Sequence, residues 1–163
     1  MARSELFCAM DEAHREALAA CFTPIRLHPG EILLAPGSVP DALFVVGSGT
    51  IGITLPGPDG PRHVKRLGPG ETLGAAGLVT GSPFTATATA LTPLMLHRLL
   101  NTDLAAAVAA NPALAPILTS MAERVVEGMR RNTWKEENVE PAEPEMLLSR
   151  LRSFLRQLHS AAA

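Results

Sequence analysis

Residues 73–90, LGAAGLVTGSPFTATATA, hold three glycines, Gly74, Gly77 and Gly81, among other small side chains. Small residues at this density let a backbone come close to a ligand or to another piece of backbone. The amides near Gly74–Leu78 are expected to open a short helix. A helix N-terminus is an anion site that needs no charged side chain. No charged residue occurs anywhere in the stretch. Its available chemistry is therefore backbone N–H groups and hydroxyls such as that of Thr85.

Other residue types that could do chemistry are scattered. The histidines, His14, His28, His63, His97 and His159, include no His-x-His pair and imply no metal site. No G-x-S-x-G occurs, and no Ser-His-Asp grouping is readable. GSGTIG at 47–52 runs into strand-like residues instead of a helix, so it reads as a turn and not a dinucleotide loop. Cys8 and Cys21 read as two buried small hydrophobes. Arg62, His63, Lys65 and Arg66 form a small basic cluster, read as a solvated strand face or a partner-docking surface.

The chain of 163 residues suits one domain with extra pieces. With Phe 5, Trp 1 and Tyr 0, the core must be aliphatic. A net charge of −2 argues against a general nucleic-acid binder, which needs a basic stripe. No apolar run approaches the ~18 residues of a membrane span, and the N-terminus lacks a signal-peptide layout. The expected location is cytoplasmic, at the inner membrane face if the chain is part of a channel. No enzyme activity and no cofactor are expected.

These residues must be positioned by a mainly β framework. From Phe22 to Leu99, turn clusters recur at short intervals: HPGE, PGSVPD, GSG, LPGPDGP and LGPGE. Strands are expected at 32–35, 42–46, 51–55, 63–67, 84–90 and 94–99, with Asp59-Gly60 turning a hairpin. This spacing suggests a sandwich, barrel or jelly roll. A helix opens at Asp11 and runs to about Cys21. Asn101 or Thr102 caps a second helix that Pro112 stops, and a third spans about 113–132. Residues 135–145, KEENVEPAEPE, read as an acidic linker. An amphipathic helix follows at 145–159, with Leu147, Leu148, Leu151, Phe154, Leu155 and Leu158 on one face. The units are thus 1–21, an N-terminal helical segment; 22–132, the β-roll with two C-terminal helices; 133–144, the linker; and 145–163, the last helix.

Three segments, LHPGEILLAPGSVPDALFVVGSGTIGI, LGPGETLGAAGLVTGSPFTATATALT and HRLLNTDLAAAVAANPALA, closely resemble the cyclic nucleotide-binding domain. That domain occurs in catabolite activators, cyclic-nucleotide-dependent kinases and nucleotide-gated channels. The resemblance covers roughly residues 5–130. It implies an eight-stranded antiparallel jelly roll with flanking helices, serving as a regulatory or sensor module. It also implies a phosphate-binding cassette reading F-G-E, a short helix, then P-R-[ST]-A-T.

Carried onto this chain, the cassette is Gly74, Ala75, Ala76, Gly77, Leu78, Ser82, Pro83, Phe84 and Thr85. Gly74 and Pro83 match the family's glycine and proline. Ala75 stands where the glutamate would take the ribose hydroxyl, and Phe84 where the arginine would pair with the phosphate. Hydrogen bonds to charged groups each contribute about 1.5–3 kcal/mol. Replacing the arginine with phenylalanine thus removes roughly 3–5 kcal/mol, or two to four decades of affinity. Cyclic nucleotide binding is expected to be lost or weak, with Phe84 filling the pocket. The alternative is an atypical cyclic AMP or cyclic GMP sensor that uses backbone and hydroxyl groups.

The resemblance makes the 113–132 helix a lid, with Val125 and Met129 toward the roll. No helix-turn-helix is expected in the residues that follow it, an acidic linker and one short helix. LLSRLRSFLRQL loosely resembles the terminal helix of some mechanosensitive channels of the small-conductance type. The expected partners are a second copy through the C-terminal helices and the rest of a channel or signalling chain.

Overall fold

The computed structural model describes residues 12–39, 41–75, 77, 83–116, 119, 120 and 123. Among the described residues, helix α1, Glu12–Ala19, precedes eight strands: β1 Thr23–Leu27, β2 Ile32–Leu34, β3 Ala42–Ser48, β4 Ile51–Leu55, β5 Arg62–Leu67, β6 Thr72–Leu73, β7 Thr87–Ala90 and β8 Leu94–Leu100. Helix α2, Asn101–Ala110, follows directly. The strands form two antiparallel four-stranded sheets, ordered β1-β8-β3-β6 and β2-β7-β4-β5. This is the jelly roll that the resemblance implies, one of the three architectures that the turn spacing suggests.

Alternation along the strands explains the core. From the first sheet, Ala42, Phe44, Val46, Leu94 and Leu96 join the apolar cluster between the sheets. From the second come Leu34, Ile51, Ile53, Ala88, Ala90 and Leu67. The intervening residues Leu43, Val45 and Leu99 face the other way and are also buried. On that side α2 packs against β8 and α1 against α2. The first sheet is thus covered on both faces, which is why β3 reads as an unbroken apolar run.

Three type II turns share one design: His28-Pro29-Gly30-Glu31, Ala35-Pro36-Gly37-Ser38 and Gly68-Pro69-Gly70-Glu71. Proline presets φ at the second position. Glycine takes the left-handed φ at the third, 90°, 86° and 90° in turn. In each, the fourth residue's N–H donates to the first residue's carbonyl at 3.1 Å. The fourth side chain reaches back as well. The Glu31 and Glu71 carboxylates and the Ser38 hydroxyl accept the N–H of His28, Gly68 and Ala35 respectively.

Each turn then docks on one further residue through two backbone hydrogen bonds. The turn glycine donates to that residue's carbonyl, and that residue's N–H donates to the carbonyl of the turn's fourth residue. The docked residue is Ala90 for the first turn (2.8 and 2.9 Å), Phe84 for the second (2.8 and 2.7 Å) and Val46 for the third (2.8 and 3.0 Å).

Several boundaries differ from the sequence expectation. β1 and β6 were not expected as strands. TPIRL carries a proline and exposes three of its five residues, and β6 is two residues long. The strand expected over 84–90 begins only at Thr87, because Phe84 gives its N–H and carbonyl to the 35–38 turn instead of a neighbouring strand. The hairpin turn is centred on Pro58-Asp59, with the Gly60 N–H donating to the Gly57 carbonyl at 3.1 Å. Neither Asn101 nor Thr102 caps α2. Leu100 holds the N-cap position with no side-chain bond, and the Asn101 N–H donates to the Asp41 carbonyl at 2.8 Å, a tertiary partner. Helix α1 ends at Ala19, short of Cys21. The acidic linker and the 145–159 helix lie outside the described residues, as does Cys8.

Candidate functional site

The cassette begins where β6 ends. Leu73 pairs with Phe44 on β3, and Gly74 turns out of the strand at φ 88°, a value that favours glycine. Gly74 and Gly77 are buried and Ala75 is half-buried, with Ala75 and Gly77 helical. The chain thus makes a close-packed turn into a helical segment here, as the small residues imply. Ala76, Leu78 and Ser82 lie outside the described residues, as do the lid residues Val125 and Met129.

The far side of the cassette is Pro83-Phe84-Thr85. Pro83 and Thr85 are exposed, while Phe84 is half-buried and packs against the apolar cluster between the sheets. Ala86 is buried behind it. Phe84 is therefore fixed twice, by its ring against the core and by its backbone on the 35–38 turn. No side chain among the described cassette residues carries a charge. Among the described cassette residues, a phosphate would meet amide groups, a methyl and an aromatic ring, and none of them supplies a cation to offset its desolvation.

Strand register shows which charges come nearest on the inner faces. Lys65 pairs across from Ile53, and so shares the inward face of the second sheet. Its Nζ lies 3.3 Å from Glu71 Oε1, and both side chains are about half exposed. Exposed ion pairs of this kind contribute about 0–1 kcal/mol. His63 pairs across from Thr54 on the outer face, where its Nδ1 lies 3.1 Å from the Ile53 carbonyl. Arg66, across from Gly52, shares that outer face. The basic cluster read from the sequence is therefore divided between the two faces of β5, although all four of its side chains are exposed.

The sequence reading missed Arg98. On β8 it follows the buried Leu94 and Leu96 at the same alternation, and it pairs across from Phe44, which faces the core. Arg98 Nε is buried and has no hydrogen-bond partner among the described residues. The signal was present in LMLHRLL, where the inward series Leu94, Leu96, Leu100 is interrupted by an arginine.

With this geometry in place, the relatives are informative. Residues 24–111, more than half of the chain, match the family model described as "Cyclic nucleotide-binding domain". The chain belongs to that family. Among solved structures it is similar to the N-terminal domain of a transcriptional regulator from Streptomyces coelicolor. Identity is 30% and the TM-score 0.70, covering 80% of this chain and 94% of that one. It is similar in fold to the regulatory subunit of a cAMP-independent protein kinase A from Trypanosoma brucei. Here identity is 15% and the TM-score 0.65, covering 81% of this chain and 45% of that one. A triple mutant of that subunit, described as bound to cAMP in the A site, matches at 16% identity and a TM-score of 0.62, covering 92% of this chain and 48% of that one. Among curated proteins, 95 residues are 28% identical to the acetyltransferase Pat of Mycolicibacterium smegmatis, covering 58% of this chain. The chain spans 28% of that relative's length. No helix among the described residues is long and apolar enough to cross a membrane.

Proposed function

We propose that this domain is a regulatory module of the cyclic nucleotide-binding family whose cassette no longer recognises cyclic nucleotides through charge. The observation that carries the reading is Phe84. It stands at the family's arginine position, packs its ring against the core and is held by the 35–38 turn. Ala75 leaves the ribose position without a carboxylate. The described strands around them match the family model, which supports a loss of side-chain chemistry over a loss of the fold.

The Trypanosoma kinase subunit supports such a separation. Its native form is described as cAMP-independent, and a triple mutant that includes a change to arginine is described as bound to cAMP. For the present chain, the module serves a larger regulatory assembly, of which a channel or another signalling chain is one form.

Calorimetry with cyclic AMP and cyclic GMP tests this. The wild-type domain gives no binding in the low micromolar range, and the double variant Ala75→Glu, Phe84→Arg gains binding. Low-micromolar affinity in the wild type contradicts the reading and favours the atypical sensor. A folded double variant that gains nothing shows that the cassette backbone has also departed from the family's.

A further inference from the structure

We propose that Arg98 binds a small oxyanion, a carboxylate- or phosphate-bearing molecule, at the inner rim of the β1-β8-β3 sheet, with the Thr23 hydroxyl as a second donor. The position is separate from the cassette, so the proposal stands whether or not the cassette holds a nucleotide. Strand pairing sets Thr23, Arg98, Phe44 and Leu73 in one row across four strands. Residues directly opposite in antiparallel strands share a face, with Cβ atoms about 4.5–5.5 Å apart. Arg98 thus lies between a hydroxyl on the edge strand and an aromatic ring in the core. Leu73 and the cassette are two strands away, about 10 Å.

A guanidinium remains charged, carries five N–H donors and accepts nothing. Here Nε–H is buried with no acceptor among the described residues. Buried donors are almost always partnered, so an orphan of this kind calls for an explanation. The Nε–H and one terminal N–H form one edge of the guanidinium fork. That edge fits the two oxygens of a carboxylate or phosphate. An apolar residue in this row would have packed without the desolvation that the arginine carries.

Access comes from the rim. β1 is an edge strand, Thr23 is exposed and Arg98 as a whole is only half-buried. Binding requires that rotation about the outer side-chain torsions bring the Nε edge to the incoming ion. The competing structural explanation is an arginine whose stem packs on apolar surface while its head meets water. That arrangement has no use for an oxyanion, and the experiment separates the two.

The side-chain Nε–H signals of the isotopically labelled domain are followed while inorganic phosphate replaces chloride at constant ionic strength. The Arg98 signal, identified by its loss in Arg98→Lys, shifts with saturation. The amides of Thr23 and Phe44 follow it, and those of Gly74 and Ala75 do not. Arg98→Lys keeps the charge but lacks the fork, and lowers phosphate affinity about tenfold or more. In thermal unfolding, phosphate raises the wild-type midpoint above that in chloride. Arg98→Met has a higher midpoint than wild type in chloride, and phosphate, which stabilises any folded protein by exclusion, raises it by less than it raises wild type. A shift that stays linear in phosphate, or a response unchanged in Arg98→Lys, overturns the proposal. So does a response that survives in Arg98→Lys but disappears in Lys65→Ala.

Discussion

Gly37 and Phe84 are joined backbone to backbone. The Gly37 N–H donates to the Phe84 carbonyl at 2.8 Å, and the Phe84 N–H donates to the carbonyl next to Gly37, that of Ser38, at 2.7 Å. The clamp depends on Gly37 holding φ at 86°. Nothing lies within 4 Å of where its Cβ would stand, so a larger residue there meets conformational strain and no clash.

Gly37→Ala therefore costs about 1–2 kcal/mol, the penalty of a left-handed alanine. Its local signature is faster amide hydrogen exchange at Phe84 than in wild type. Gly30→Ala, at φ 90° and equally open, costs a similar amount but leaves exchange at Phe84 unchanged. Equal protection of Phe84 in all three proteins rules out the clamp.

Gly49→Ala is more damaging. At φ 89° its Cβ would stand 2.4 Å from the Pro93 carbonyl oxygen, a backbone atom that cannot swing aside. Strain and overpacking add, about 1–2 and about 1–3 kcal/mol. Urea denaturation should rank Gly49→Ala clearly below Gly30→Ala in stability. The reverse order means that the turns after β3 and β7 can separate.

Lys65→Ala and Glu71→Ala remove the same ion pair but differ in effect. The lysine loses only an exposed contact and stays within about 1 kcal/mol of wild type. The glutamate also loses its hydrogen bond from the Gly68 N–H, 2.8 Å in length, which closes the turn before β6. Hydrogen bonds to charged groups contribute about 1.5–3 kcal/mol before solvent exposure weakens them, so Glu71→Ala is the more destabilised. Equal midpoints for the two variants count against the carboxylate as a turn clasp.

The C-terminal residues give a fourth prediction. The spacing of Leu147, Leu148, Leu151, Phe154, Leu155 and Leu158 implies a helix that needs apolar surface, on this domain or on a second copy. Truncation after Glu140 should lower either the mass in solution or the unfolding midpoint, read by light scattering and by calorimetry. No change in either removes the docking helix.

Much of this fold is legible in the sequence because its punctuation is local. Pro-Gly pairs at 29–30, 36–37 and 69–70 announce turns whose geometry those residues dictate. What is not legible is pairing. Nothing in TPIRL says strand until β8 lies beside it, and Thr72–Leu73 is too short to carry a period. Asn101 and Thr102 look like caps, yet Asp41, distant in sequence, takes the Asn101 N–H. The cassette's missing charges are visible as Ala75 and Phe84. The inward position of Arg98 becomes clear only once Phe44 stands opposite it.

The repeated turn design has a consequence for how such domains diversify. The clamp on residue 84 is made by main-chain atoms, and so it is indifferent to which side chain the position carries. Exchanging the side chain at 84, for arginine or any other, therefore leaves the same turn holding the same backbone. The anchoring of the segment before β7 is thus uncoupled from whatever chemistry the side chain at 84 performs.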